Sequence, residues 1–149
     1  MVNWSRLAGL SAWQWRVLLG APWALSRTWI SLRTRGYGRT LAALQPARAN
    51  DLSADRQLAL ARETAYAVAV AVKYGPWRPL CLLRSLALAG FLGRQGIPCE
   101  VRIGVPRGKA VITPAGKLDF TAHAWVELAG AVLNDKPDVA GRFSPFDGA

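Results

Sequence analysis

Residues 81–105, CLLRSLALAGFLGRQGIPCEVRIGV, and residues 120–135, FTAHAWVELAGAVLND, decide how the chain folds. The first stretch reads as an apolar helix, a stop and a strand. Leu82, Leu86, Ala89 and Leu92 can share one buried helical face between Cys81 and Gln95. Gly96 ends that helix, Pro98 keeps Ile97 extended, and Cys99–Val105 alternates as a strand. The second stretch reads as strands over 120–128 and 131–135, joined by a turn at Ala129–Gly130.

These stretches also hold a thiol, an imidazole and a carboxylate: Cys81, the sole histidine His123, and Asp135. Those are the three groups of a nucleophilic acyl-transfer site. Cys81 stands where a helix begins, so its thiolate would face free N–H groups and the positive end of the helix dipole. The same N–H groups can receive an oxyanion. A free cysteine is otherwise a small core residue, and Cys99, inside a strand after Pro98, is read that way. A lone histidine among alanines is otherwise a core side chain, although those alanines leave room for the Cys81 helix to approach.

Strand alternation puts His123, Trp125 and Glu127 on one face and Ala124, Val126 and Leu128 on the other. Glu127 lies about 13 Å along the same strand at ~3.3 Å per residue, too far to orient the imidazole. Asp119 fails in the same way. Asp135, on the partner strand, can come alongside, with one difficulty. A turn of only Ala129–Gly130 pairs Ala124 with Asp135 and sets His123 and Asp135 on opposite faces. An odd-length turn or a bulge at Gly130 would resolve this. Asn134 and Asp138 are the fallback orienters.

Ahead of Cys81, Gly75–Pro76–Trp77–Arg78–Pro79 forms a stiff loop, and an alanine-rich helix is predicted from Ser53 as N-cap to Lys73, with Gly75 just past its end. Gln45–Asp51 reads as a linker, which divides the chain into a helical basic segment, 1–48, and a domain, 49–149. Within 1–48, Pro22 after Gly20 predicts a break between two helices. Trp15, Leu18, Leu19, Pro22 and Trp23, continued by Leu25, Trp29 and Leu32, form an apolar stripe with helical spacing, which buried tryptophans would explain, and Gly36 and Gly38 end it. Residues 106–118, rich in Gly and Pro, read as a loop or loose hairpin. The tail after Pro137 reads as surface chain.

The chain has 149 residues and a formal net charge of +10, with seven arginines and no Asp or Glu before Asp51. Five of its seven tryptophans precede residue 30. Such a segment can pack on its own domain, dock a partner or lie on a membrane surface. No recognised nucleic-acid motif accompanies the charge. The apolar run Val17–Leu25 is about half of the ~20 residues that a spanning helix needs. With one histidine and two separated cysteines, neither a zinc site nor a cofactor is expected. Reduced thiols place the protein in the cytoplasm.

The C-L-x-R-S-L-A-L block from Cys81, the R-x-G-I-P turn from Arg94, A-H-A-W-V-E from Ala122 and L-N-D at 133–135, followed by KPDV, come in the order seen in a known family. Over about residues 76–140 the chain resembles the lasso-peptide maturation proteases, the B or B2 proteins. The resemblance implies an α+β, transglutaminase-like, papain-related cysteine protease domain, with N-terminal helices packed on a small antiparallel sheet. It maps a Cys-His-Asp triad onto Cys81, His123 and Asp135. It also implies removal of the leader from a ribosomally made precursor peptide, after which a partner cyclase closes the macrolactam. The first 48 residues leave no room for a winged-helix leader-binding domain. The expected form is therefore the stand-alone protease served by a separate, B1-type leader-binding protein, with the cyclase as a further candidate partner. A transglutaminase, an N-acetyltransferase-type enzyme and a non-catalytic binding module are the competing readings.

Overall fold

The computed structural model describes residues 12–75, 79–107, 111–112, 118–119 and 122–145. Among these residues four helices come first: α1 (Ala12–Arg35), α2 (Tyr37–Leu44), α3 (Ala54–Tyr74) and α4 (Cys81–Arg94). Strands follow: β1 (Glu100–Pro106), β2 (Val111–Ile112), β3 (Leu118–Asp119), β4 (His123–Leu128) and β5 (Ala131–Val132). A single helical turn α5 (Val139–Arg142) leads into β6 (Phe143–Pro145). One antiparallel sheet has the order β5-β4-β1-β6, and β2 and β3 pair separately.

α4 is the central element. It packs on α1 and α3 on one side and on β4 and β1 on the other. Leu88 and Leu92 of α4 meet Val126 and Leu128 of β4 in one buried cluster with Ala61, Ala65 and Val68 of α3. Its end is a Schellman motif: Gly96 N–H donates to Gly93 O and Ile97 N–H to Leu92 O, with Ile97 buried. Gly96 has φ +73°, and a Cβ there would lie 2.8 Å from Asn50 N. Asn50 donates through its backbone to Gly96 O and through its side chain to Gln95 O, so the 45–51 connection is pinned to this helix end.

α1 differs from its sequence reading in two ways. It runs through Pro22 without a break. Its buried residues are Val17, Ala21, Ala24, Leu25 and Thr28 rather than the tryptophans. Small side chains let α1 approach α3 and α4 closely, and that packing outweighs the local cost of a proline. Trp15, Leu19, Trp23, Trp29 and Ile30 are left exposed. Trp13 alone among the described tryptophans of α1 turns inward, donating to Thr64 Oγ1 at 3.2 Å.

α3 ends at Tyr74, one residue past the expected Lys73, and Gly75 is extended (φ −75°) rather than left-handed. The tail also departs from expectation. Val139 is fully buried, and β6 pairs with β1, so residues 139–145 close the sheet. Gly104 permits that closure, because a Cβ there would lie 2.7 Å from Ser144 O and 3.0 Å from the Trp125 ring. Residues 1–11, Pro76–Arg78 and most of the predicted 106–118 loop lie outside the described residues. No described helix is long and apolar enough to cross a membrane.

Candidate active site

α4 lies along β4 in matched steps. One helical turn of four residues rises about 6 Å, close to the ~6.6 Å of two strand residues. Cys81 and Ser85, four apart, accordingly address carbonyls two apart. The Cys81 thiol donates to Ala122 O at 3.9 Å, and the buried Ser85 hydroxyl donates to Ala124 O at 3.0 Å. The predicted alternation of β4 is observed. Ala124, Val126 and Leu128 are buried, the last two in the helix-side cluster, while His123 and Trp125 stack on the opposite face.

The structure brings His123 and Asp135 together through Nε2 and Oδ2. Cys81 is brought to the start of β4 by α4: its thiol contacts the carbonyl of Ala122, the residue preceding His123, not the ring itself. The imidazole packs in a cluster of three rings, its centroid 6.2 Å from Trp125 and 4.8 Å from Phe143, which lie 6.3 Å from each other. Trp125 is fixed in turn by donating Nε1–H to Glu127 Oε1 at 2.7 Å. With Nε2 engaged by Asp135, Nδ1 is the ring nitrogen left to exchange a proton.

Asp135 receives two further donors at Oδ1, the Lys136 N–H at 2.6 Å and Arg142 at 3.1 Å. Burial pushes its carboxyl up, but the His123 and Lys136 hydrogen bonds and the charges of His123 and Arg142 outweigh that and hold it below its ordinary value. Arg142 also pairs with Asp138 at 3.4 Å and lies over the Phe143 ring.

The register difficulty is resolved without a bulge. The turn has two residues, with Leu128 opposite Ala131, and both Ala129 (φ 49°) and Gly130 (φ 79°) are left-handed, as a type I′ turn requires. Leu133 N–H still donates to Val126 O at 3.0 Å, but there the ladder stops. The Val126 N–H is taken at 2.8 Å by the Asn134 side-chain oxygen instead of a backbone carbonyl. The chain is therefore free to turn, and Asp135 swings to His123 instead of facing Ala124 across the sheet. The expected strand 131–135 is cut to Ala131–Val132 for this reason.

Neither fallback orienter reaches the imidazole. Asn134 donates to Ser85 Oγ at 2.9 Å, and Asp138 serves Arg142. Ser85 is the residue that the sequence reading missed, and Asn134, named there only as a fallback orienter, has a different role. Together they tie α4, β4 and the Asp135 loop into one network. The available signal was a small polar residue one turn after Cys81 on an otherwise apolar helix face.

Cys99 is buried, and its thiol is pushed up to about 11 by burial and by the Glu100 charge. Leu80, the N-cap of α4, provides no side-chain bond, so no cap competes for the first-turn N–H groups beside Cys81. Among the described residues there is no group of three or more His, Cys, Asp or Glu able to hold a metal ion.

No curated protein and no solved structure matches this chain. A family model described as transglutaminase-like superfamily does match, over residues 22–146, a span that includes α2 to β6 and the three candidate residues. That match suggests a cysteine protease or acyltransferase type of activity, and the chain belongs to the transglutaminase-like superfamily.

Proposed function

We propose that the protein is a cysteine peptidase that removes the leader segment from a lasso precursor peptide in the cytoplasm. One observation carries this reading: an imidazole bound to a carboxylate, beside a cysteine at an uncapped helix N-terminus. The ordered motifs between Cys81 and Asp135 supply the lasso assignment.

In this mechanism Cys81 Sγ attacks the scissile carbonyl carbon, and His123 takes the thiol proton at Nδ1. Asp135, bound at Nε2, holds the ring orientation and stabilises the imidazolium. The N–H groups at the start of α4 face the developing oxyanion. The tetrahedral intermediate collapses, the amine leaves with the proton from His123, and a thioester remains on Cys81. Water, deprotonated by His123, then releases the acid and restores the thiol. The basic helical segment 1–48 serves as a surface for a separate leader-binding protein, and the cyclase acts on the released product.

The test is mass-spectrometric cleavage of a synthetic precursor, with and without the leader-binding protein. Wild-type protein should release leader and core, and Cys81→Ala should release neither. Transfer of the acyl group to an added amine in preference to water would favour the acyltransferase reading instead.

A further inference from the structure

Between α1, α2 and the C-terminal half of α4 lies an open-sided cavity of about 450 Å³. Its lining includes Arg27, Arg35 and Arg94, with hydroxyls of Thr28, Ser31 and Thr34. Backbone forms part of the wall: at Gly93 a Cβ would collide with the Leu44 carbonyl. Two of the hydroxyls are held in place, Ser31 by Thr40 at 2.9 Å and Thr34 by donating to Ile30 O at 2.9 Å.

Among the described residues no carboxylate pairs with these arginines. No Asp or Glu precedes Asp51. The carboxylates with ion pairs among the described residues serve the sheet: Glu100 and Glu127 hold Arg102, and Asp135 and Asp138 hold Arg142. Arg94 is positioned by lying over the Phe91 ring, 4.5 Å from its centroid. Burial, and then the charge of Arg27, hold Arg94 below its ordinary value. Two guanidiniums facing one cavity repel, and an anion between them would relieve the repulsion and accept hydrogen bonds from both.

Two exposed apolar side chains of α1 narrow the choice of anion: Ile30, in the wall, and Trp23, outside the wall and one turn before Arg27. Trp23, Arg27 and Ile30 follow one another at helical spacing on α1, and Trp23 and Ile30 are 68% and 53% exposed. A free phosphate would use the arginines and leave those two side chains in water. A peptide with a carboxylate beside a large apolar residue would use both.

We propose that this cavity is a docking site for an acidic peptide segment. A carboxylate of the segment sits between Arg27 and Arg94, and an apolar neighbour lies on Trp23 and Ile30. The site stands at the far end of α4 from Cys81, about 20 Å away at ~1.5 Å per residue, a distance that an extended chain of about six residues covers. A substrate anchored here could therefore present a bond to Cys81; that step alone rests on the peptidase reading.

The probe is a short acetylated and amidated peptide of alternating Glu and Leu, compared with its Gln–Leu counterpart, added to wild-type protein. The Nε–Hε NMR signals of Arg27 and Arg94 report occupancy without turnover. The Glu–Leu peptide should shift both signals and bind at least about tenfold more tightly than the Gln–Leu peptide. Arg27→Gln and Arg94→Gln should each weaken binding about tenfold, while Arg62→Gln on α3, an equal loss of charge, should not. Equal binding of the two peptides, unmoved Arg27 and Arg94 signals, an equal effect of Arg62→Gln, or phosphate binding as tightly as the peptide would each overturn the proposal. Loss of docking with the cysteine chemistry intact would sink this inference alone, and docking on a protein with an inert cysteine would sink the peptidase reading alone.

Discussion

At the N-terminal end of α4, Ser85, Asn134 and Asp135 are each tied to partners in the chain, and the Arg142 charge is neutralised by two carboxylates. At its C-terminal end Arg94 faces Arg27, and neither is paired with a carboxylate among the described residues. One helix thus joins a region whose polar groups hold one another in place to a region whose charges are left for something outside. The first arrangement keeps an imidazole in one orientation at the expense of adaptability. The second gives up internal stabilisation and keeps its binding capacity. Substitutions at the two ends should therefore fail differently, in chemistry at one and in recognition at the other.

The largest effects belong to the N-terminal end. Cys81→Ala and His123→Ala should each lower precursor cleavage on the order of 10⁴-fold, Cys81→Ala with the melting temperature nearly unchanged. Asp135→Asn should cost less, on the order of 10²-fold, since the base is mis-oriented rather than removed. A cleavage assay alongside thermal melts measures both. If Asp135→Asn were as active as wild type, the two ends would no longer differ in kind.

Next comes a stability effect. Asn134→Ala leaves the Val126 N–H without its acceptor and removes the donor to Ser85 Oγ, and should destabilise by about 1–3 kcal/mol in urea titration. Asp138→Ala, which loses one exposed ion pair, should change stability by less than about 1 kcal/mol. Equal losses would mean that Asn134 is not the tie between α4 and the Asp135 loop.

The pH dependence is smaller still. Asp135 is held below its ordinary carboxyl value when folded, so its stabilising contribution is present above that ordinary value and is lost as pH falls through the lower, folded one. The stability difference between wild type and Asp135→Asn should accordingly shrink as pH drops below about 4. Cys99 has the opposite sign: its raised value favours the folded state below the ordinary thiol range, and this is lost as pH rises toward about 11. Denaturant titrations of Cys99→Ala against wild type across pH 8–11 would show the converging curves.

Much of this was legible in the sequence where local signals and packing agree. The α4 stop at Gly96, the alternation of β4 and the turn at Ala129–Gly130 follow from glycine placement and period. The outward tryptophans of α1 were not legible, because periodicity gives the width of an apolar stripe but not which side meets a neighbour. Trp15, Leu19 and Trp23 have helical spacing, yet Val17, Ala21 and Ala24 are the smaller residues that allow close packing. The approach of Asp135 to His123 depends on an asparagine side chain replacing a backbone acceptor, which no pattern of hydrophobicity records. β6 was missed because three residues containing a proline carry almost no strand signal.

The central claim is that Cys81 is a nucleophile set by His123, and the competition between the two thiols tests it without any knowledge of the substrate. Iodoacetamide labelling at pH 7.5, followed by peptide mass spectrometry, gives separate rates for Cys81 and Cys99. The account predicts that Cys81 labels on the order of 10²-fold faster or more, that His123→Ala slows it by about tenfold or more, and that Cys99 keeps its slow rate in both proteins. Equal rates at the two cysteines, or a Cys81 rate unchanged by His123→Ala, would contradict it.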